Sequence, residues 1–202
     1  MTIIYDFDGV MFDSETSVTL MYQDIAERCG KRLTVGQIDY CMSHSMADII
    51  SNMFDQGAWD VIKSLDYKKY YDLAIPKLYI LTTLEELKRR GIGVSICSNR
   101  VSGIAYILDK WGMTHPIDNV VTSKDYQAKP NPQGLLSLID GESFYVGDTD
   151  TDMQTARNAD VPFIAYNNTN LSADYHISNH LQILDLTPIK EYGIRNARRF
   201  NR

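Results

Sequence analysis

Residues 2–10 read TIIYDFDGV, a short apolar run that ends in two aspartates and a glycine. The run is continuous rather than alternating, which is typical of a strand buried on both faces of a parallel sheet. Asp6 and Asp8 lie two positions apart, so in extended backbone their side chains point the same way. Two such carboxylates repel each other unless a proton or a cation lies between them, and Mg²⁺ prefers oxygen ligands. The stretch therefore predicts a buried first strand with a candidate magnesium site at its end.

Four further apolar runs predict buried strands: 92–97, 119–122, 143–146 and 161–166. Helical patterns separate most of them: 84–90, 104–111, 132–139 and 150–159. Two overlapping capping boxes, Thr82 with Glu85 and Thr83 with Glu86, predict the start of the first of these helices, and Gly91 predicts its end. Alternating strands and helices predict an α/β fold with a doubly wound parallel sheet. Ligands of such sheets bind at the carboxyl ends of the strands.

Residues 14–76 interrupt this alternation, because they carry helix signals and no strand signal. We therefore expect an α/β core domain formed by residues 1–13 and 77–202, and a small inserted α-helical domain formed by residues 14–76. Within the insert, Thr34 and Gln37 form a capping box before a helix, and Ser45 is a candidate cap for the next one. Residues 58–75 are predicted to form one long helix.

The composition excludes several classes of protein. The chain has 202 residues, 44% of them hydrophobic, and a formal net charge of -6, so no overall positive field attracts nucleic acid. No apolar run approaches the roughly 20 residues of a membrane span. Three scattered cysteines and the lack of a signal-like N-terminus indicate a cytoplasmic protein with free thiols. We expect a monomer or a homodimer with no membrane partner and no specific nucleic-acid partner.

Three more polar groups follow predicted strands: CSN at 97–99, KPNP at 129–132 and GDTDTD at 147–152. Each group has an ordinary explanation when taken alone, namely a turn, an exposed lysine and a helix cap. Because all of them follow parallel strands, we expect them to meet at one edge of the sheet. Together with Asp6 and Asp8 they offer a nucleophile, a second carboxylate, a hydroxyl, a lysine and further metal ligands, which are the parts that phosphoryl transfer requires.

The ordered set DFDGVMFDS, CSN, KPNP and VGDTDTD resembles the four motifs of the haloacid dehalogenase superfamily of hydrolases. ADYHISN at 173–179 is similar to the last short strand of the phosphoglycolate phosphatase-like members. The helical insert resembles the cap that those members carry between motifs one and two. The resemblance implies a Rossmann-like α/β core and a phosphatase.

The resemblance also implies roles for the matching residues. Asp6 would attack phosphorus to form an aspartyl-phosphate, and Asp8 would protonate the leaving group and then activate water. Mg²⁺ would be held by the carboxylates of Asp6 and Asp148, by the backbone carbonyl of Asp8 and, through water, by Asp152. Ser98, Lys129 and the backbone of Asn99 would bind the phosphoryl oxygens. The insert departs from the resembling proteins, which often have a Gly-containing motif where this chain has Ser43-His44-Ser45-Met46. His44 is a candidate substrate contact there, although a solvated loop histidine is the more common case.

The expected activity is Mg²⁺-dependent hydrolysis of a phosphate ester of a small metabolite or nucleotide. Two kinds of alternative stay open: a phosphotransferase, phosphomutase or phosphonatase of the same family, and a receiver-like signalling module that is not an enzyme. Asp8 argues against a dehalogenase, which needs no acid–base group there. One departure from the resembling proteins is Ala159-Asp160, where they often have Ala-Gly.

Overall fold

The computed structural model describes residues 1–44 and 46–200, so Ser45, the predicted helix cap, lies outside the described residues. The chain forms two compact units. One contains Met1–Phe12 and the chain from Pro76 onward, and the other contains Asp13–Ile75.

Most of the strands belong to the first unit. In chain order the strands are β1 Thr2–Tyr5, β2 Phe12–Asp13, β3 Ile75–Pro76, β4 Gly93–Ser98, β5 Asn119–Thr122, β6 Ser143–Gly147, β7 Phe163–Tyr166 and β8 Tyr175–Ile177. The helices are α1 Glu15–Arg28, α2 Val35–Ser43, α3 Met46–Met53, α4 Ala58–Ser64, α5 Lys68–Tyr71, α6 Ile80–Arg89, α7 Ile104–Lys110, α8 Gln133–Leu136, α9 Asp150–Asn158 and α10 Thr187–Phe200, with a 3₁₀ helix at His180–Asp185.

Six strands form one parallel sheet in the order β5-β4-β1-β6-β7-β8, while β2 and β3 pair separately. β1 lies at the centre, where Ile3 is level with Val94 of β4 and with Phe144 of β6. Since β1, β4 and β6 are adjacent, the residues that follow them in sequence leave the sheet side by side. The predicted doubly wound α/β fold is confirmed.

The central strands are apolar because both of their faces are covered. All four residues of β1 and all five of β6 are buried, as the continuous apolar runs predicted. One core cluster of this unit includes Ile4, Tyr145, Phe163 and Leu135. This packing fixes the carboxyl ends of the strands, where the polar loops begin.

Several helix boundaries differ from the prediction. α6 begins at Ile80 and not at residue 84. Its N-cap residue is Tyr79, which has a left-handed φ of 65° and makes no capping hydrogen bond with its side chain. The two predicted capping boxes therefore lie inside this helix, where Thr83 is fully buried. The end of the helix is as predicted, because Gly91 takes the left-handed φ of 70° that follows many helices. The helix predicted at 132–139 is a single turn, α8.

Between its terminal strand residues, the described part of the second unit has helices as its regular elements, and this unit has its own apolar core. Tyr22, Ile25, Ile49 and Ile62 belong to this core. The capping box of Thr34 and Gln37 begins α2 as predicted. The prediction of one long helix at 58–75 is wrong, because this stretch forms the two separate helices α4 and α5.

The chain leaves helical geometry at Leu65, whose ψ is 140°. The hydroxyl of Tyr67 donates a hydrogen bond back to the Ile62 carbonyl at 2.8 Å, and Asp66 accepts from the Lys68 backbone N–H at 3.2 Å. These local contacts end α4 and begin α5 as separate helices. Among the described residues, no helix has both the length and the apolar character needed to cross a membrane.

Candidate active site

The four sequence motifs leave the sheet at its carboxyl edge. Asp6 directly follows β1, Ser98 is the last residue of β4, and Asp148 directly follows β6. Lys129 lies in the loop between β5 and α8, and Asp152 lies in the first turn of α9. The order β4-β1-β6 explains why residues that are far apart in sequence become neighbours here.

Three carboxylates form a compact cluster at this edge. Asp6, Asp148 and Asp152 each offer an oxygen, and these atoms lie within 4.8 Å of one another. Asp6 and Asp152 are buried, with 7% and 1% of their surface exposed. Oδ1 of Asp148 is also buried and accepts no hydrogen bond from the described residues. A buried oxygen without a partner beside two other carboxylates fits the donor set of Mg²⁺.

Two glycines allow the carboxylates to come this close. A Cβ atom at Gly9 would lie 2.3 Å from Oδ2 of Asp148, and the φ of Gly9 is 82°, a left-handed value. A Cβ atom at Gly147 would lie 2.3 Å from the Cβ of Asp152. Any larger residue at either position would therefore displace a member of the cluster.

The Lys129 ammonium lies among these acids, and its side chain is only 7% exposed. It donates hydrogen bonds to Oδ1 of Asp6 at 2.7 Å, to Oδ1 of Asp152 at 2.6 Å and to the Tyr145 hydroxyl at 2.9 Å. When all groups are ionised, three carboxylates and one ammonium leave two uncompensated negative charges in a buried place. A divalent cation would neutralise this excess of charge.

The pKa values of the three acids shift in different directions. Burial raises the pKa of Asp6 to about 8 and that of Asp148 to about 7, although the Lys129 charge opposes both shifts. Burial also acts on Asp152, but the Lys129 charge and the hydrogen bonds from Lys129, Thr149 and Tyr145 outweigh it and lower the pKa of this carboxyl. Burial works to lower the pKa of Lys129, but the charges of Asp152 and Asp6 raise it, so this lysine stays protonated. Ionising Asp6 and Asp148 thus costs free energy that a bound cation offsets.

Asp152 is held in place by the start of its own helix. Thr149 and Asp152 form the capping box of α9: the Thr149 hydroxyl oxygen accepts from the Asp152 backbone N–H at 3.2 Å, and Oδ2 of Asp152 accepts from the Thr149 backbone N–H at 3.2 Å. The Thr149 hydroxyl also donates to Oδ2 of Asp152 at 2.6 Å. The capping explanation of the GDTDTD stretch is therefore correct for Thr149 and Asp152. It leaves Oδ1 of Asp152 for Lys129 and Tyr145, so the same carboxylate is both a helix cap and a member of the cluster.

Ser98 and Asn99 have distinct contacts. The buried Ser98 hydroxyl oxygen accepts from the Arg100 backbone N–H at 3.2 Å. The Asn99 side chain bridges to the Lys129 backbone, accepting from its N–H at 2.7 Å and donating to its carbonyl at 3.2 Å. The side chain of Asn99 thus fixes the loop that carries Lys129, which the sequence interpretation did not foresee.

The family follows from comparison with known proteins. Residues 3–166 match the model of the haloacid dehalogenase-like hydrolase family. The chain belongs to this family. Over 187 residues, this hydrolase is 24% identical to the phosphoglycolate phosphatase of Rhodobacter capsulatus, a match that covers 81% of the chain and 83% of that relative.

Two further comparisons agree with that assignment. A phosphoglycolate phosphatase of Rhodospirillum rubrum is 36% identical over 92 residues, but these cover only 42% of the hydrolase and 38% of the relative. A solved structure from Geobacter sulfurreducens, described as a haloacid dehalogenase-superfamily hydrolase of subfamily IA, has a TM-score of 0.81 and 29% identity. That likeness covers 91% of this chain and 97% of the other. The predicted family and the enzymatic nature of the hydrolase are thereby confirmed.

Asp8 does not join the carboxylate cluster of the hydrolase through its side chain. Its carboxylate is 34% exposed and lies 3.7 Å from Nε of Arg100, whose own side chain is only 9% exposed. The guanidinium of Arg100 also lies 5.7 Å from the centre of the Phe7 ring. Arg100 is a cation of the site that the sequence interpretation missed, although its position directly after Ser98-Asn99 was a usable signal.

His44 lies in the other compact unit of the hydrolase. It is exposed, its ring stacks on Tyr40 with centroids 3.7 Å apart, and its Nδ1 is 2.9 Å from the Tyr40 carbonyl oxygen. These contacts give the ring a defined orientation. Its predicted contact with substrate stays a prediction.

Proposed function

We propose that this hydrolase is a Mg²⁺-dependent phosphatase that acts through an aspartyl-phosphate on Asp6. The observation that carries the proposal is the group of three carboxylates, two buried and one half-buried, beside one lysine, with an excess of two negative charges. Asp6 and Asp148 would hold the ion together with the Asp8 backbone carbonyl, and Asp152 would support it through water. Bound Mg²⁺ would supply charge neutralisation for an anionic nucleophile and an anionic phosphoryl group.

The side chains divide the reaction between them. An Asp6 carboxylate oxygen attacks phosphorus, and the bond between phosphorus and the leaving oxygen breaks as Asp8 gives that oxygen a proton. Asp8 then takes a proton from water, whose oxygen attacks phosphorus and releases Asp6 and inorganic phosphate. Lys129 and Ser98, with the Asn99 backbone, bind the phosphoryl oxygens throughout.

The proposed substrate is a small phosphate monoester, and 2-phosphoglycolate is the first candidate because two curated relatives are named for its hydrolysis. The family match argues against a receiver-like signalling module, whereas no observation favours a mutase or phosphonatase. Location in the cytoplasm, a monomeric or homodimeric state and the absence of specific nucleic-acid binding remain predictions. The formal net charge of -6 supports the last of these.

Phosphate release from a panel of phosphorylated metabolites, including 2-phosphoglycolate, tests the proposal. We expect activity that excess chelator abolishes and Mg²⁺ restores, and we expect Asp6→Asn to be inactive. Asp150→Asn is the matched control, because Asp150 is an exposed aspartate beside the cluster that shares none of its contacts. Wild-type turnover by Asp6→Asn, or full activity without a divalent cation, would contradict the proposal.

A further inference from the structure

Tyr145 lies beneath the site, in the middle of β6. It is fully buried and level with Ile4 of β1. Its hydroxyl is 2.9 Å from Nζ of Lys129, 2.8 Å from Oδ1 of Asp152 and 3.2 Å from the Cys97 carbonyl oxygen.

The hydrogen-bond donors and acceptors of this network can be counted. An ammonium group has three N–H donors, and Lys129 directs them to Asp6, Asp152 and Tyr145. The phenol accepts from Lys129, and its single proton is donated to Asp152 or to the Cys97 carbonyl. All three ammonium donors are therefore in use in the structure.

A phosphoryl oxygen can bind Lys129 only if one of these three donors is redirected. In the proposed reaction the Asp6 carboxylate becomes the nucleophile and a metal ligand, so the donor now given to Asp6 is the one that becomes available. The two remaining contacts, to Asp152 and Tyr145, then decide where the ammonium lies. A lysine side chain loses considerable rotamer freedom when it is fixed, and prior fixing removes that cost from ligand binding.

We propose that Tyr145 is a positioning residue, which holds the Lys129 ammonium in place for the phosphoryl group of the substrate. This inference rests on the proposed function. Tyr5, on the adjacent strand β1, shows that the arrangement is not a general property of buried tyrosines in this core. Tyr5 is equally buried, yet its hydroxyl has no hydrogen-bond partner among the described residues.

Tyr145→Phe removes the hydroxyl and leaves the ring in the core. We expect the variant, loaded with Mg²⁺, to bind inorganic phosphate roughly tenfold more weakly in calorimetry, as for the loss of one hydrogen bond to a charged group. Mg²⁺ affinity measured without phosphate should stay within about twofold of wild type, because the Thr149 hydroxyl still holds the other oxygen of Asp152. Tyr5→Phe is the matched control and should bind phosphate as wild type does.

A double-mutant cycle separates positioning from a general disturbance of the core. If Tyr145 acts through Lys129, then Tyr145→Phe should not weaken phosphate binding any further in a Lys129→Met background. An equal loss in both backgrounds would overturn the inference, as would unchanged phosphate affinity in Tyr145→Phe. Urea unfolding of each variant establishes that the proteins compared are folded.

One measurement needs no substitution at Tyr145. Buried phenol protons exchange slowly enough to be followed by proton NMR, and phosphate added to the Mg²⁺-loaded wild-type protein should shift the Tyr145 resonance much more than the Tyr5 resonance. Equal shifts, or none, would contradict the inference. These outcomes are distinct from those that test the proposed function, because an inactive Asp6→Asn supports that function whatever Tyr145 does.

Discussion

Gly9 is the residue that most directly limits the shape of the site. Its left-handed φ of 82° disfavours any side chain, and a Cβ there would lie 2.3 Å from Oδ2 of Asp148. We expect Gly9→Ala to push the Asp148 carboxylate away and to weaken Mg²⁺ binding at least tenfold in calorimetry, while backbone strain lowers the free energy of unfolding by about 1–3 kcal/mol.

Gly141→Ala is the matched control for that substitution. Gly141 has a similar left-handed φ of 67°, but a Cβ there meets nothing within 4 Å. Both variants should therefore lose stability in urea unfolding, and only Gly9→Ala should lose Mg²⁺ affinity. If both bind Mg²⁺ equally well, then close approach to Asp148 is not the reason for a glycine at position 9.

Asp8 provides the second prediction at this scale. Asp8→Asn removes the proposed proton donor, so kcat/KM for alkyl phosphates should fall roughly 10²- to 10⁴-fold. An aryl phosphate with a good leaving group needs no proton in the first step, so phosphorylation of Asp6 should proceed and the intermediate should accumulate. Mass spectrometry of the quenched protein measures this adduct. Equal losses for both kinds of ester, without an adduct, would show that Asp8 is not the acid–base group.

Part of the site could be predicted from the sequence, because the ends of buried strands are easy to recognise. Asp6, Asp148 and Lys129 follow predicted strands, and the geometry of parallel sheets brings such residues together. Tyr145 and Arg100 could not be assigned in this way. Tyr145 lies in the middle of an apolar run, where an aromatic residue predicts only burial, and the direction of its hydroxyl depends on the register between strands.

At the scale of secondary-structure elements, the 3₁₀ helix His180–Asp185 is joined to the loop that follows β1. Nε2 of His180 lies 2.9 Å from the Val10 carbonyl oxygen, and the ring stacks on Tyr166 with centroids 4.4 Å apart. Nδ1 is buried without a partner among the described residues. Burial lowers the pKa of His180 from 6.5 to about 4, and the Lys77 charge adds to this shift, whereas the hydrogen bond to the Val10 carbonyl opposes it.

This shift predicts a loss of stability in acid. The unfolded chain binds a proton at this histidine below about pH 6.5 and the folded chain does so only below about pH 4, so the free energy of unfolding decreases as pH falls between these values. The decrease attributable to His180 is about 3 kcal/mol in total. Urea unfolding at several pH values should show a shallower dependence in His180→Asn than in wild type.

His115→Gln is the control for that comparison, because His115 is exposed. It should keep the pH dependence of the wild-type protein. If His180→Asn and wild type lose stability in parallel from pH 6.5 to 4, then His180 is not the group that titrates.

Helix boundaries were predictable only where the signal is local. Gly91 and the capping box of Thr34 mark real helix boundaries, because each acts through the backbone of its own turn. The capping boxes at 82–86 failed because packing overrides them: α6 begins earlier and buries Thr83 and Leu84 against the core. The helix predicted at 58–75 failed because its apolar spacing does not report the extended backbone of Leu65.

At the scale of the whole molecule, the chemistry is unevenly distributed. Asp6, Asp148, Asp152 and Lys129 all belong to the unit that contains the six-stranded sheet. These groups can hold a metal ion and a phosphoryl group. The phosphoryl group is the same in every phosphate ester. They cannot distinguish one leaving group from another, so selection among substrates needs other residues.

We predict that the helical unit Asp13–Ile75 carries those residues. This unit has its own core, so it can be exchanged as a block for the corresponding segment of the Rhodobacter capsulatus phosphoglycolate phosphatase. The exchange should change the relative kcat/KM values across a panel of phosphate esters and leave Mg²⁺ affinity nearly unchanged. An unchanged ranking of substrates would refute the prediction.

His44 is the single residue with which the same idea is tested more finely. Its ring stacks on Tyr40 and remains exposed, and we predict that it donates a hydrogen bond to the leaving group of some esters. Loss of one such bond in His44→Ala should cost about 0.5–1.5 kcal/mol for the esters that use it and nothing for the others, which changes their relative rates several-fold. An exposed histidine of the other unit provides the control, since His115→Ala should leave every relative rate unchanged. If His44→Ala lowers all rates by one common factor, the residue supports the fold of its unit and does not select substrates.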